Sequence, residues 1–284
     1  FEKAAGVGGT WRENTYPGCA CDIASHLYSF SFEQDSGWSR TYAPQPEILR
    51  YLERVAAKHD LLERIRFNTE VVRLDWDGAR RCWQLTAADG HTFTADVVVA
   101  GVGGLHVPRF PEIPGLTSFA GPAFHSARWR HDVDLADKRV AVIGTGASAI
   151  QIIPAIAPQV ARLLVCQRTP PWVLPRHDRK VSRWARWAFD HVPGVQRLWR
   201  TLLYVESETI AIGFTLWPWL LGHWQRESLA LLARHIKNPA LRAAITPQYT
   251  MGCKRVLLSD DYYPALASDT VEVTTEKITA IRPH

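Results

Sequence analysis

The run Val140-Ala141-Val142-Ile143, followed at once by Gly144-Thr145-Gly146-Ala147-Ser148-Ala149, constrains this chain more than any other feature in it. Four consecutive apolar residues after Arg139 predict a buried strand, and a helix is predicted from Ala147 to about Ala157. Between them Gly144 permits a tight turn, Gly146 lets a phosphate approach the backbone, and small Ala149 lets helix and strand pack closely. The helix N-terminus offers unpaired N–H groups and the positive end of its dipole to a pyrophosphate. A further strand, Leu163-Leu164-Val165, completes the βαβ unit of a doubly wound dinucleotide-binding domain. The bland alternative is a glycine turn needed only for packing.

The end of that second strand bears on which dinucleotide binds. A carboxylate there would bond a ribose 2′-hydroxyl, but the chain has Gln167-Arg168-Thr169. An arginine pairs with a 2′-phosphate through charge-assisted bonds, so NADP is favoured over NAD. The alternative for Arg168 is a surface cation.

A second glycine-rich stretch opens the chain. Phe1-Glu2-Lys3 reads as the end of a strand, with Glu2 placed where a ribose-binding acid belongs, and Gly8-Gly9-Thr10-Trp11 follows. The chain begins without an initiator methionine. The expectation is a piece of a longer protein whose first strand and phosphate loop, about 30 residues, lie upstream. Read alone, Glu2 is a solvated glutamate.

Between these motifs, Pro46 to Leu62 reads as a helix with Ile48, Leu49, Leu52, Val55, Ala56 and Leu62 at roughly helical spacing. Phe67–Trp76 and Trp83–Thr94 read as strands, with turns at Asp77-Gly78 and Asp89-Gly90. Val97–Ala100 reads as a buried parallel strand, and Pro108, Pro111 and Pro114 as a stiff connector. Val271–Val273 and Ile278–Ile281 read as strands. The expected class is α/β, with two doubly wound, Rossmann-like domains, the first incomplete and the second carrying a helical insertion. The boundaries expected are a partial FAD-binding domain at 1–108, a linker at 109–136, and an NADP-binding domain at 137–284 with its insertion at about 176–248. Of 284 residues 46% are apolar and 21% charged, which excludes disorder. A net charge of +5 is too mild for a nucleic-acid binder. Five scattered cysteines form no disulfide framework and no metal spacing, which favours a reducing, cytoplasmic setting and no metal.

The linker holds Phe119-Ala120-Gly121-Pro122-Ala123-Phe124-His125-Ser126-Ala127-Arg128-Trp129, which fits FxGxxxHxxxW. In this the chain resembles the flavin-dependent Baeyer–Villiger monooxygenases and their flavin-containing monooxygenase relatives. Arg130 departs from the family pattern, which continues with Pro or Asp. Gly8 to Asp22, Ser29-Phe30-Ser31-Phe32, Gln45-Pro46-Glu47-Ile48, Gln167-Arg168-Thr169-Pro170 and Gly252-Cys253-Lys254-Arg255 are similar to the same family.

That resemblance implies an NADPH- and FAD-dependent monooxygenase that inserts one oxygen atom of O₂ beside a ketone carbonyl through a C4a-peroxyflavin. It implies that Arg255 supplies the fixed positive charge at the flavin, that Asp22 orients and balances it, and that His125, counted with them as a catalytic candidate, steers the linker; the alternative for His125 is a satisfied structural histidine. It implies FAD contacts from Glu2, Lys3, Gly9, Thr10, Trp11, Asp22 and Tyr28. NADP contacts are implied for Gly144, Thr145, Gly146, Ala147, Ser148, Gln151, Arg168, Thr169, Lys254 and Arg255. The rival chemistry is oxygenation at sulfur or nitrogen, and the rival class a non-catalytic, truncated NADP-binding fragment. The insertion, with Arg176, Arg179, Lys180, Arg183, Arg186, Arg197 and Arg200 interleaved with Trp184, Trp187 and Trp199, has two readings. It is a helical lid over a substrate pocket with its arginines in solvent, or a basic aromatic face for peripheral membrane contact.

Overall fold

The computed structural model describes residues 1–283, apart from the side chain of Pro218. The chain falls into two compact units, one made of Phe1–Asn14 with Pro46–Pro108, the other of Thr15–Gln45 with the chain from Arg109 onward.

In the first unit a short helix α1 (Thr10–Glu13) precedes α2 (Gln45–Lys58). Ile48, Tyr51, Val55 and Ala56 are the buried face of α2, the spacing a helix needs to present one apolar stripe. Pro46 lies in its first turn, where a missing N–H costs nothing, and Glu47 and Lys58 match the helix dipole. The helix stops four residues before the expected Leu62, where Asp60 takes φ +50°. Strands β1 (Val71–Asp77), β2 (Cys82–Ala87) and β3 (Thr92–Ala95) form an antiparallel meander. Its turns are set by carboxylates: Asp77 Oδ1 accepts the N–H groups of Ala79 and Arg80, each at 3.0 Å, and Asp89 Oδ1 that of His91 at 3.0 Å.

Two expected strands of this unit are absent. Val97–Ala100 is not in a sheet, and Val97 and Val99 are 76% and 90% exposed. A buried parallel strand needs parallel neighbours, and the sheet here is antiparallel, with none of its described strands beside this run. Phe1–Lys3 is likewise not a strand, although Glu2 N–H bonds Arg66 O at 2.9 Å and Thr69 N–H bonds Glu2 O at 2.9 Å.

The second unit contains the expected βαβ: β4 (Arg139–Ile143), α3 (Ala149–Ile156) and β5 (Arg162–Cys166). Both strands run parallel, with Val140 opposite Leu163. Strand β5 is central and buried, whereas β4 is an edge whose Ile143 is 46% exposed, a correction to the buried strand expected there.

Beyond β5, the two-residue strand β6 (Val173–Leu174) leads into the helices α4 (Arg183–His191), α5 (Val195–Thr215), α6 (Leu221–His235) and α7 (Pro239–Ala244). The chain returns through β7 (Leu257–Leu258), which pairs parallel with β6, so both ends of the insertion are pinned to one ribbon. Then α8 (Tyr262–Leu266) packs on α3, and β8 (Val271–Thr274) pairs with β5. Ile278–Ile281 is not a strand; Ile281 N–H bonds Pro114 O at 2.8 Å instead. The core is Leu163, Val165, Ile150, Ile153, Ile156, Tyr262 and Leu266.

Helix α4 starts on Ser182, whose hydroxyl accepts Ala185 N–H at 3.1 Å, and it lays Phe189 on the buried ring of His26 at 4.6 Å. Burial lowers the His26 pKa to about 4. The unfolded chain therefore binds a proton that the folded chain refuses between about pH 6.5 and 4, so stability is full above pH 6.5 and declines as pH falls. Urea unfolding of His26→Leu against the parent is expected to show a flatter stability profile across that window, removing a slope of up to about 1.4 kcal/mol per pH unit.

Candidate active site

The turn after β4 is built as a cradle. Gly144 takes φ +110°, its N–H bonds Cys166 O at 2.9 Å, and Thr145 Oγ1 donates to Thr169 O at 3.2 Å, so the turn is tied to the end of β5. A Cβ added at Gly144 or Gly146 would meet no protein atom within 4 Å. Packing therefore does not require glycine at 146, and the open space above it is room of the kind a phosphate occupies. The N–H of Ile150 reaches Gly146 O at 3.1 Å, so the amides of Ala147, Ser148 and Ala149 precede the helical ladder. Arg168 is exposed at the end of β5 and Thr169 is half-buried.

Gln151 lies on the first turn of α3 and bonds the segment that precedes Asp22. Its Nε2 donates to Ala20 O at 3.0 Å, and its Oε1 accepts the Tyr16 hydroxyl at 3.1 Å and Ala20 N–H at 3.4 Å. It clamps the segment from Tyr16 to Ala20 to the helix. Gly18 is required here: its φ is +80°, and a Cβ would lie 2.5 Å from Gln151 O. The segment is packed densely enough that burial raises the Tyr16 hydroxyl and the Cys19 thiol above their usual ranges and pushes the Cys21 thiol up to about 11. Neither thiol is an ionised nucleophile near neutrality.

Asp22 follows directly, and Arg255 Nη2 donates to its Oδ2. The two residues are 233 positions apart in sequence, and the family resemblance implied both in one site. The guanidinium is 60% exposed and the carboxylate 31%, so the pair faces solvent rather than the core. Arg255 follows a turn at Gly252 (φ +98°) and precedes β7. Beside it the Lys254 ammonium stands 5.0 Å over the Tyr249 ring, whose carbonyl accepts Trp172 Nε1–H at 2.9 Å. Tyr28, in the same unit, is 40% exposed.

His125 accepts Ala127 N–H on Nδ1 at 3.1 Å, capping the short turn Ser126–Arg128. Its ring meets Phe110 edge-on at 6.0 Å, and Phe124 meets Trp129 at 5.1 Å. The linker motif is thus held by its own aromatic residues. In the other unit, Glu2 Oε1 accepts Ala4 N–H at 2.8 Å, Lys3, Gly9 and Thr10 are exposed, and Trp11 is buried. Gly8 is fixed by φ +120° and by Leu49 Cδ1, 2.4 Å from where a Cβ would stand, while the space at Gly9 is open.

Three residues of the site region escaped the sequence reading. Arg200 Nη1 gathers the carbonyls of His26, Leu27 and Ser29 at 2.8, 3.0 and 2.9 Å. Arg40 Nε pairs with Asp178 at 2.6 Å, and Arg176 Nη2 donates to Cys21 O at 2.7 Å. Arg176 and Arg200 were expected among solvated arginines, and the structure corrects that: irregular backbone needs donors, and arginine brings several. Among the described residues, no group of three His, Cys, Asp or Glu side chains is placed to hold a metal ion.

The family model for flavin-binding monooxygenase-like proteins matches residues 1–187. The chain belongs to that family. It is 52% identical over 281 residues to a Baeyer-Villiger monooxygenase of Pseudomonas aeruginosa, covering 99% of this chain and 53% of that protein. A Baeyer-Villiger monooxygenase of Streptomyces coelicolor is 50% identical over 282 residues, covering 99% and 54%. The crystal structure of cyclohexanone monooxygenase from Rhodococcus sp. Phi1 bound to NADP+ superposes with a TM-score of 0.83 at 31% identity, over 98% of this chain and 60% of that one. The fold is therefore the expected α/β class of two dinucleotide-binding domains. The chain spans about half the length of the curated relatives it matches.

If the open space at Gly146 serves a phosphate, Gly146→Ala leaves stability within about 0.5 kcal/mol in urea unfolding yet weakens NADP+ binding about tenfold or more by calorimetric titration. Gly144→Ala, forced to a glycine-only φ, costs about 1–3 kcal/mol of stability as well.

Proposed function

We propose that this chain carries the FAD- and NADPH-binding machinery of a monooxygenase that inserts one oxygen atom of O₂ beside a ketone carbonyl, giving an ester or lactone. The observation that carries the proposal is the Asp22–Arg255 pair, and the names of two relatives at 52% and 50% identity agree with it. The open cradle at Gly144 and Gly146 and the amides of Ala147 to Ala149 fit a pyrophosphate, and Arg168 at the end of β5 fits a 2′-phosphate. Thr145, Thr169 and Lys254 are assigned as further NADP contacts, and Glu2, Lys3, Gly9, Thr10, Trp11 and Tyr28 as FAD contacts. Gln151 serves the cofactor by fixing the Tyr16–Ala20 segment.

Bound flavin, reduced by NADPH, supplies the electrons that activate O₂. The chain's own residues supply charge and placement. A guanidinium is a permanent cation, and a fixed positive charge favours an ionised oxygen nucleophile over its protonated form. Asp22 holds one edge of the guanidinium and leaves the other donors for developing negative charge on oxygen. His125 keeps the linker turn closed. A ketone carbonyl suits a nucleophilic oxygen, whereas a thioether or amine needs an electrophilic one, which ranks the heteroatom reading second.

The insertion is a lid over the substrate: both its ends join the β6–β7 ribbon, and Arg40–Asp178, Arg176 and Arg200 tie it to the segment bearing Asp22. Peripheral membrane contact is the alternative, suggested by Trp184 and Trp219, 79% and 74% exposed. No described helix is long and apolar enough to cross a membrane. Binding to anionic vesicles that is abolished by Trp184→Ser would favour that alternative.

Two measurements on the full-length enzyme test the reading. With NADPH, a cyclic ketone is expected to give lactone, and Arg255→Ala to lower lactone formation by about 10²–10³-fold; sulfoxide from a thioether without any lactone would overturn it. Arg168→Ala is expected to lose roughly 10–100-fold of the preference for NADPH over NADH in kcat/KM, the worth of one charged hydrogen-bonding partner.

A further inference from the structure

We propose that Arg176 is a positioning residue for the Asp22–Arg255 pair; the inference rests on the reading of that pair given above. Residues 15–44 contain no helix or sheet strand, so the location of Asp22 depends on what binds its neighbours. Cys21 N–H donates to Ala43 O at 3.0 Å, and Cys21 O accepts Arg176 Nη2 at 2.7 Å. Both backbone polar groups of the residue before Asp22 are therefore held, and one of the two holders is a side chain. The Arg176 guanidinium lies 5.0 Å over the Tyr42 ring, and its Nε is buried without a hydrogen-bond partner. A flat, delocalised cation can stack and donate in the plane at once, which an ammonium cannot.

The position of Arg176 is fixed from the other side by the strand that follows Arg255. Its N–H and that of His177 donate to Asp260 Oδ1 at 2.8 and 3.0 Å, and Asp178 N–H donates to Oδ2 at 3.1 Å. Leu257 N–H bonds Trp172 O at 2.9 Å, and Ser259 N–H bonds Leu174 O at 3.0 Å, which locks the β6–β7 ribbon between them. A closed circuit results: Arg255, the strand β7, Asp260, the backbone of Arg176, its guanidinium, Cys21, Asp22, and Arg255 again. Within that circuit the Arg176 guanidinium is the link to the residue that precedes Asp22. Asp178 reinforces the same corner by accepting Arg40 Nε at 2.6 Å and Tyr42 N–H at 3.2 Å. Among the described residues, Arg176 bonds Cys21 and Asp260 and stacks on Tyr42, all outside the cradle at Gly144–Ala149, so its removal is expected to leave NADP binding unchanged.

The test uses the full-length enzyme with Arg176→Met and Arg176→Lys. In cofactor-free protein, amide hydrogen exchange at Cys21 and Asp22 is expected to quicken about tenfold or more in Arg176→Met, with Arg176→Lys intermediate and the β5 amides unchanged. In the loaded enzyme, lactone formed per NADPH oxidised is expected to fall while KM for NADPH holds. Combining Arg176→Met with Asp22→Asn is expected to cost no more than Asp22→Asn alone, because one residue acts through the other. Unchanged exchange at 21–22, or losses that multiply in the double variant, would overturn the proposal. Should Arg176→Met unfold, the Arg176→Lys exchange profile decides in its place. If the parent enzyme forms no lactone, the reading of the pair fails while the exchange experiment still decides whether Arg176 positions Asp22.

Discussion

The second unit depends on satisfying the backbone of a stretch that makes no regular structure of its own. Residues 15–44 run as turns and bends, yet Cys19, Cys21, Ser25, His26, Trp38 and Ala43 within them are buried. Buried backbone polar groups left without partners would make such a segment untenable. Ser25 Oγ answers part of the need, donating to Arg40 O and Thr41 O and accepting from Ala43 N–H at 2.8 Å. Long side chains from far along the sequence answer the rest: Gln151 from α3, Arg176 from the insertion stem and Arg200 from α5.

This arrangement couples the insertion to the Asp22–Arg255 pair. The helices α4 to α7 leave and rejoin the unit at the β6–β7 ribbon, and Ser228 on α6 donates to Val173 O at 2.8 Å, so the insertion is fastened at its base. Its surface exposes Trp184, Trp187, Trp217 and Trp219. The same ribbon places Arg255 immediately before β7 and Arg176 shortly after β6, and Asp22 lies between them in the hydrogen-bond circuit. A movement of the insertion stem would therefore be felt first at the carboxylate that holds Arg255.

Electrostatics follow the same division. The Asp22–Arg255 pair is exposed enough that its worth lies in orientation rather than in stability, since solvent screens such pairs strongly. The buried groups around it are kept neutral: the thiols of Cys19 and Cys21 and the hydroxyl of Tyr16 all have their pKa values raised by burial. The Asp22–Arg255 charges hold each other at the surface, whereas Arg176 and Arg200 place theirs on backbone carbonyls.

Local patterns carried a large part of this protein. The βαβ unit, the glycine turn, α2, the meander turns at Asp77 and Asp89 and the helical insertion were legible because each depends on neighbours within a few residues. The pairing of Asp22 with Arg255 was legible only through family resemblance, because no periodicity links residues so far apart. Val97–Ala100 and Ile278–Ile281 misled, since an apolar run states a wish for burial without supplying the strands to bury it. That Thr15–Gln45 joins the unit begun at Arg109, and that Arg176 and Arg200 bind backbone carbonyls, was decided by tertiary structure alone. An arginine in a basic run looks the same in sequence whether it meets water or an unpaired carbonyl, and only the folded chain determines which.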